Sequence, residues 1–345
     1  MSPQVPQARS RATEIRPYRA QDEAAVVALL QDAFGRWPTD MDGVDPLAFF
    51  RWKHRSGPFG PSAAVVAVDG ERVVGYLAWL PWMLRCGGRR IMSYRTTDFA
   101  VARSHRGGDV SMAMIRDGKR LLADGYALTW SNPNQLSHRR AGGSGQGRVG
   151  TVRTFVRPVP VGLACRLRAP GQRAATRGRD ARTRAADACA GARAAGEVLA
   201  EVAGWLSGLL ERDCSGRLHT ARDLAFLRWR YGAFADYRAV CLDHEGVAIV
   251  RLRRRGSVRI AKVCELVVGD DDPGAAWALA RRVSQTVGAD LLTCGFASPV
   301  AAARCGFVPA PGGHALMVRP VRPDLVPDPT RAASWELSLG DLELI

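Results

Sequence analysis

The chain lacks any Cys-x-x-Cys pair, although it holds eight cysteines. Cys86, Cys165, Cys189, Cys214, Cys241, Cys264, Cys294 and Cys305 are scattered, several of them inside apolar strand-like runs. That pattern excludes a disulfide framework or a cysteine zinc site and predicts buried free thiols in a reducing compartment. No apolar run approaches the ~20 residues that cross a bilayer. The opening MSPQVPQARSRATEIR has no apolar stretch of the secretory kind. A cytoplasmic protein with no membrane partner is therefore expected. There is no His-Glu-x-x-His, no Ser–His–Asp order and no paired-carboxylate motif, so hydrolysis and metal catalysis are poorly supported and no metal is expected. Acidic residues are also short: 33 Asp and Glu stand against 49 Lys and Arg, a formal net charge of +16. The excess reads either as solvated arginines from a compositional bias or as attraction to an anionic partner such as CoA, a nucleotide sugar or RNA.

What the chain does have is length and patterning. Its 345 residues, 47% hydrophobic, are comfortable for two domains with sizeable cores. The organising stretch is Met92 to Leu122. It predicts a strand over Tyr94–Ala102, with Phe99 and Val101 on one face and Asp98 and Ala100 on the other. A turn, His105-Arg106-Gly107-Gly108-Asp109, follows. A helix over Val110–Leu122 then buries Val110, Met114, Leu121 and Leu122. A glycine turn that opens a helix bares backbone N–H groups at the positive end of the helix dipole, which suits a phosphate or pyrophosphate.

Earlier segments predict a lead over 1–12, a strand from Glu14, a helix over Ala24–Phe34 and a second helix opened by Pro46. Strands over Ala63–Val68 and Arg72–Leu80 are joined by Asp69-Gly70, a strong hairpin signal. A buried strand, Tyr126–Ser131, ends in Asn132-Pro133-Asn134. A helix over Gln135–Ala141, a glycine-rich loop over Gly142–Gly147 and a last strand over Val149–Val156 follow.

The stretch around Asp98 resembles the core motif of the GNAT (GCN5-related N-acetyltransferase) superfamily. That motif has an acidic residue on the strand, then Val-x-Pro-x-x-Arg-Gly-x-Gly-x-Gly/Ala. Asp98, Val101, Arg106 and Gly107 match, Arg103 replaces the Pro, and Asp109 and Ser111 replace the later small residues. A carboxylate at Asp109 would repel a pyrophosphate. The run Phe49-Phe50-Arg51-Trp52-Lys53, the hairpin and Asn132-Pro133-Asn134 are similar to a branch of that superfamily, and the resemblance covers about residues 14 to 160. It implies an α/β (α+β) fold with a mixed central sheet flanked by helices. It also implies acyl transfer from an activated donor to an amine or hydroxyl of a small-molecule acceptor, in specialised metabolism or envelope sugar modification. Acetyl-CoA or acyl-CoA is the implied co-substrate. Aminoacyl-tRNA, used by similar tandem transferases of the Fem type, is the alternative, and a non-catalytic binding protein on the same fold is a further one.

The second half repeats the first. Leu227-Arg228-Trp229-Arg230 mirrors Phe50-Arg51-Trp52-Lys53, and Glu265-Leu266-Val267-Val268 mirrors Asp98-Phe99-Ala100-Val101. Leu128-Thr129 matches Leu292-Thr293. Two copies of one domain are expected, at 13–160 and 201–330. Between them lies an arginine- and alanine-rich linker over 161–200, whose later part predicts a helix from Asp180 to Leu210; a tail follows over 331–345. The acidic Gly269-Asp270-Asp271-Asp272-Pro273 stands where the first copy has its cradle, so the second copy reads as a scaffold or acceptor half.

Acyl transfer needs donor anchoring, carbonyl polarisation, a base and an acid. The resemblance places Phe99, Ala100 and Val101 along the donor arm. It places Arg106, Gly107, Gly108, Asp109, Val110 and Ser111 around its phosphates. Asp98 is the candidate base, with pairing to Arg95 or Arg103 as the alternative. Tyr94 is a candidate acid or a core aromatic. Asn132 and Asn134 are candidates to hold the donor arm or the acceptor, or to serve the turn at Pro133. His105 is placed to reach a phosphate, and His54 reads as a surface or structural residue.

Overall fold

The computed structural model describes residues 13–39, 41, 43–107, 109–133, 145–159, 192–211, 215–234, 236–269, 272–296 and 298–342. Gly108, Asn134, the expected helix 135–141 and the first half of the glycine-rich loop after it, the linker 161–191, Asp270 and Asp271 lie outside them.

The first half begins with β1 (Glu14–Pro17), α1 (Glu23–Phe34) and α2 (Pro46–Arg55). Asp45 starts α2 by accepting from the Ala48 N–H at 2.9 Å, ahead of Pro46 at the first helical position. The hairpin strands are β2 (Ala63–Asp69) and β3 (Arg72–Cys86), and β3 turns through Gly87-Gly88, both at positive φ, into β4 (Arg89–Val101). Then come α3 (Val110–Gly118), β5 (Leu128–Ser131), β6 (Gly147–Val152) and β7 (Thr154–Pro158). The expected strand 149–156 is thus two strands, divided at Arg153 and belonging to different sheets.

The second half comprises β8 (Arg193–Ala194), α4 (Ala195–Glu201), α5 (Ala203–Glu211), β9 (His219–Thr220) and α6 (Leu224–Gly232). It continues with β10 (Tyr237–Leu242), β11 (Gly246–Arg255), β12 (Val258–Val268), α7 (Pro273–Thr286), β13 (Leu291–Gly295), α8 (Pro299–Arg304), β14 (Val308–Pro309), β15 (His314–Pro320) and α9 (Leu339–Leu342). Where one helix was expected up to Leu210, the described residues form β8 and two helices that meet at Val202.

Two mixed sheets result. The first has the order β1-β2-β3-β4-β5-β15-β6, with β9 paired to β3; the second has β14-β7-β13-β12-β11-β10-β8. The halves therefore exchange a strand. β15, from the end of the chain, completes the first sheet, and β7, from the first half, completes the second. They also share a core. Trp82 of β3 packs edge-on to Phe226 and Trp229 of α6 and to Trp130 of β5. Trp52 and Trp229 stack at 5.0 Å, and each indole N–H donates to the other's carbonyl, at 2.8 and 3.2 Å. That reciprocity is what a pseudo-twofold between α2 and α6 requires, and it is the repeat seen in sequence.

Each sheet splits at an equivalent place. β4 pairs in parallel with β5 only from Ser93↔Leu128 to Arg95↔Trp130. β12 pairs with β13 only from Ile260↔Leu291 to Lys262↔Thr293. Asp98 and Glu265 both stand three residues past the last pair, as the sequence match required. Leu128 is equivalent to Leu291, one residue off the sequence match with Leu292.

Candidate functional site: the cleft where β4 leaves β5

Beyond Arg95, β4 keeps β3 on one side and loses β5 on the other. Backbone groups alternate along a strand. The Ala102 N–H donates to Val74 O on the β3 side, so the Val101 N–H and carbonyl face the open side. Arg106 confirms the direction: its Nε–H donates to Val101 O at 2.9 Å and pins the strand end. Phe99 is half-buried against the core, and Ala100 and Val101 are buried.

The turn delivers α3 to the mouth of this cleft. Gly107 has φ +89°, a conformation that favours glycine. Asp109 occupies the N-cap position without bonding an N–H, so Val110, Ser111 and Met112 open α3 with no side-chain cap. The second half differs at this point. Asp272 accepts from the N–H groups of Gly274 and Ala275 at 2.7 and 3.2 Å, which fills the α7 N-terminus with the chain's own carboxylate. Of these two equivalent helices, α3 has a start that no side chain caps and α7 has one that Asp272 fills.

His105 is turned away from that role: Nε2 lies 3.2 Å from Asp69 Oδ2, and Nδ1 lies 2.8 Å from Ser104 Oγ. Within α3, Met114 is fully buried, whereas Leu121, expected inside, is 38% exposed in a 3₁₀ turn after the helix. The helix stops early and Leu121 leaves its buried stripe.

Asp98 does not present a free carboxylate. It adopts φ +49° within a bulge, where the register with β3 shifts between Tyr76↔Ala100 and Ala78↔Thr97. The bulge breaks the simple alternation of faces expected for Asp98–Val101. Oδ2 lies 2.7 Å from Lys53 Nζ and 2.9 Å from His54 Nε2, and Oδ1 accepts from Trp37 Nε1 at 3.3 Å. The partners are on α2, not Arg95 or Arg103. Lys53 is fully buried and His54 nearly so, so of the two expectations for His54 the structural one holds and the surface one does not. Burial alone would push the Asp98 carboxyl up, but the Lys53 ammonium and the His54 bond overcome it and hold the carboxyl far below the usual carboxylate range. Burial, opposed by Asp98, keeps His54 below its ordinary value, so the imidazole is neutral near pH 7. Its Nδ1 lies 3.0 Å from Ser62 Oγ. A carboxylate that resists protonation this strongly is a poor proton acceptor near neutrality. The arrangement fixes the bulge, and through it the backbone of Phe99–Val101. Sequence reasoning missed Lys53 and His54; the available signal was a lysine and a histidine placed side by side in the otherwise apolar α2 stripe.

Tyr94 is a core aromatic. It is 6% exposed, packs edge-on to Tyr126 at 5.4 Å and accepts from the Ala123 N–H at 3.3 Å. Asn132 lies just past the end of β5. Its Nδ2 donates to Ala315 O at 3.0 Å, and its Oδ1 is a buried acceptor with no donor. The structure thus places Phe99–Val101, Arg106, Gly107 and Asp109–Ser111 along and just beyond the freed end of β4, places Asn132 just past the end of β5, and sets Tyr94 and Asp98 into the packing. The described residues contain no group of His, Cys, Asp or Glu able to hold a metal, and their five cysteines are free thiols. Among them no helix is long and apolar enough to cross a membrane.

Residues 14–138, a little over a third of the chain, match a family model described as an acetyltransferase (GNAT) domain. Acyl transfer is the general activity that this family's description names. Among solved structures, the chain is similar to a GCN5-related N-acetyltransferase from Kribbella flavida, at 16% identity and TM-score 0.57 over 89% of this chain and 72% of that one. It is similar to another from Anabaena variabilis, at 14% identity and TM-score 0.57 over 89% and 72%. A third is Eis1 from Mycobacterium abscessus, at 15% identity and TM-score 0.55 over 90% and 73%. At these identities the likeness shows the fold, which is the GNAT fold. No curated protein matches the sequence.

Proposed function

We propose that the protein transfers an acyl group from acyl-CoA, acetyl-CoA foremost, to an amine or hydroxyl of a small-molecule acceptor, with the donor in the first-half cleft. The observation that carries the reading is the juxtaposition of two features: β4 freed from β5 after Arg95, and the α3 N-terminus uncapped directly beyond it. The thioester supplies the activated carbonyl. The N–H groups of Val110–Met112 face its phosphates, and the Val101 N–H faces its arm, as backbone donors that need no reorganisation. The orphaned Asn132 Oδ1 is suited to an N–H of the donor arm or the acceptor. The reading assigns no side-chain base: Asp98 is committed to Lys53 and His54, and the acceptor's proton leaves to water. Rate then rests on positioning and carbonyl polarisation.

Aminoacyl-tRNA is the second reading, favoured by the net charge of +16 and by the exposed carboxylate of Asp109 at the cradle. The two readings separate in one assay. Acyl-CoA is offered with a panel of amines and hydroxyl compounds, and release of free CoA thiol is followed. Aminoacyl-tRNA is offered in parallel, with and without ribonuclease. Thiol release supports the proposal. Ribonuclease-sensitive transfer with no turnover from acyl-CoA would replace it by the second reading, and would go with the steep salt dependence of a surface that neutralises many phosphates.

A further inference from the structure

The second half has a cleft of its own. Past Lys262↔Thr293, β12 leaves β13, and the segment Glu336–Leu339 lies against the end of β13. The approach is close enough that a Cβ on Gly295 would stand 3.1 Å from Leu337 O. What is left of the opening is a cavity of about 840 Å³, within the size range of small-molecule sites.

Its lining is of two kinds. Leu209, Val267, Phe296 and Leu337 give it apolar walls, and Arg217 and Arg304 give it positive charge. Neither guanidinium has a hydrogen bond or ion pair among the described residues. The acidic groups of the lining are engaged: Glu336 accepts from Ser215 Oγ at 2.9 Å, and Glu265 is held by Arg222 at 2.7 Å and by Tyr231 at 2.6 Å. The cavity cannot repeat the phosphate site of the first half, because Asp272 already occupies the α7 N–H groups.

We propose that this cavity is a second ligand site, separate from the donor cleft, for a small amphipathic anion: an apolar chain seated between α5, β12 and the Glu336–Leu339 segment, with a carboxylate head on Arg217 and Arg304. Two guanidinium groups in a lining that is part apolar and part polar are complementary to that chemistry, since an Arg–carboxylate pair is a strong, geometrically specific contact.

The test is calorimetric titration of the full chain with three probes that share one body: decanoate, decanol and decyltrimethylammonium, each below its micellar concentration. Decanoate binds about tenfold or more tightly than decanol, the worth of one charge-assisted hydrogen bond, and the cation binds least. In the double variant Arg217→Glu/Arg304→Glu the order reverses, while acetyl-CoA affinity stays as in the wild type. Equal affinity for the three probes, a wild-type preference for the cation, no binding of decanoate, or decanoate binding unchanged in the double variant would each overturn the proposal. Should the double variant fail to fold, the head-group order in the wild type decides alone.

Discussion

Replacing Asp98 by Asn separates a structural carboxylate from a catalytic base. The change keeps the size of the side chain and removes the charge opposite Lys53, a fully buried ammonium 2.7 Å away. Breaking a buried pair by removing one partner costs about 3–5 kcal/mol, because the other charge is left uncompensated. A second route bounds the same cost. Lys53 can escape by losing its proton, which at pH 7 costs at most about 5 kcal/mol at 1.36 kcal/mol per unit below its ordinary 10.5. Both figures are a large share of the ~5–15 kcal/mol that stabilises a folded protein. Chemical denaturation of Asp98→Asn should therefore show a loss of about 3–5 kcal/mol. Asp98→Asn/Lys53→Met should recover a substantial part of it, a non-additivity expected of residues in contact. Activity lost with folding should return with it. A variant as stable as the wild type, with turnover reduced ~10²–10⁴-fold and not rescued by Lys53→Met, is the signature of a general base and would refute this reasoning.

Three further outcomes follow from named contacts. His54 is held neutral, its folded-state pKa below the ordinary 6.5, so the unfolded chain binds its proton first and stability falls as pH drops below about 6.5; Asp98 adds a further loss below about 3.8. His54→Gln should flatten the first part of that decline in melts from pH 7 to 4.5, and an unchanged slope would remove His54 as its source. Asp109→Gly removes an exposed like charge from the cradle and should tighten acetyl-CoA severalfold, on the order of 1 kcal/mol for unit charges ~4 Å apart in water; unchanged or weaker binding in a titration would separate Asp109 from the donor. A Cβ on Gly118 would overlap the Trp79 ring, so Gly118→Ala should destabilise by about 1–3 kcal/mol despite alanine's better helix propensity, and a raised melting temperature would contradict the packing.

The parts of the fold that were legible are those encoded within about 30 residues. Asp69-Gly70 marks its hairpin, and the run from Tyr94 to Met114 reads directly as strand, turn and helix, because hydrophobic period and turn chemistry are local signals. The repeat was legible because Trp52 and Trp229, and Asp98 and Glu265, occupy equivalent places in the two halves. What was hidden depends on contacts far apart in sequence. Nothing near Asp98 indicates that Lys53 and His54 reach it across 44 or 45 positions, or that the bulge gives it a left-handed φ. The break at Arg153 exists because β6 and β7 serve different sheets, a consequence of strand exchange that no local pattern records. The tail was read as an appendage, yet Trp335, Leu337 and Leu339 are buried and Arg95 donates to the Asp341 carbonyl, so it ties β4 to the second half.

Backbone amide hydrogen exchange with and without acetyl-CoA tests the central claim most directly, since it reports where the donor sits without requiring the acceptor. The account predicts slowed exchange at Val101 and at Val110–Met112, with residues 263–276 of the second half unchanged. Protection confined to 263–276, or no protection anywhere at saturating acetyl-CoA, would contradict it.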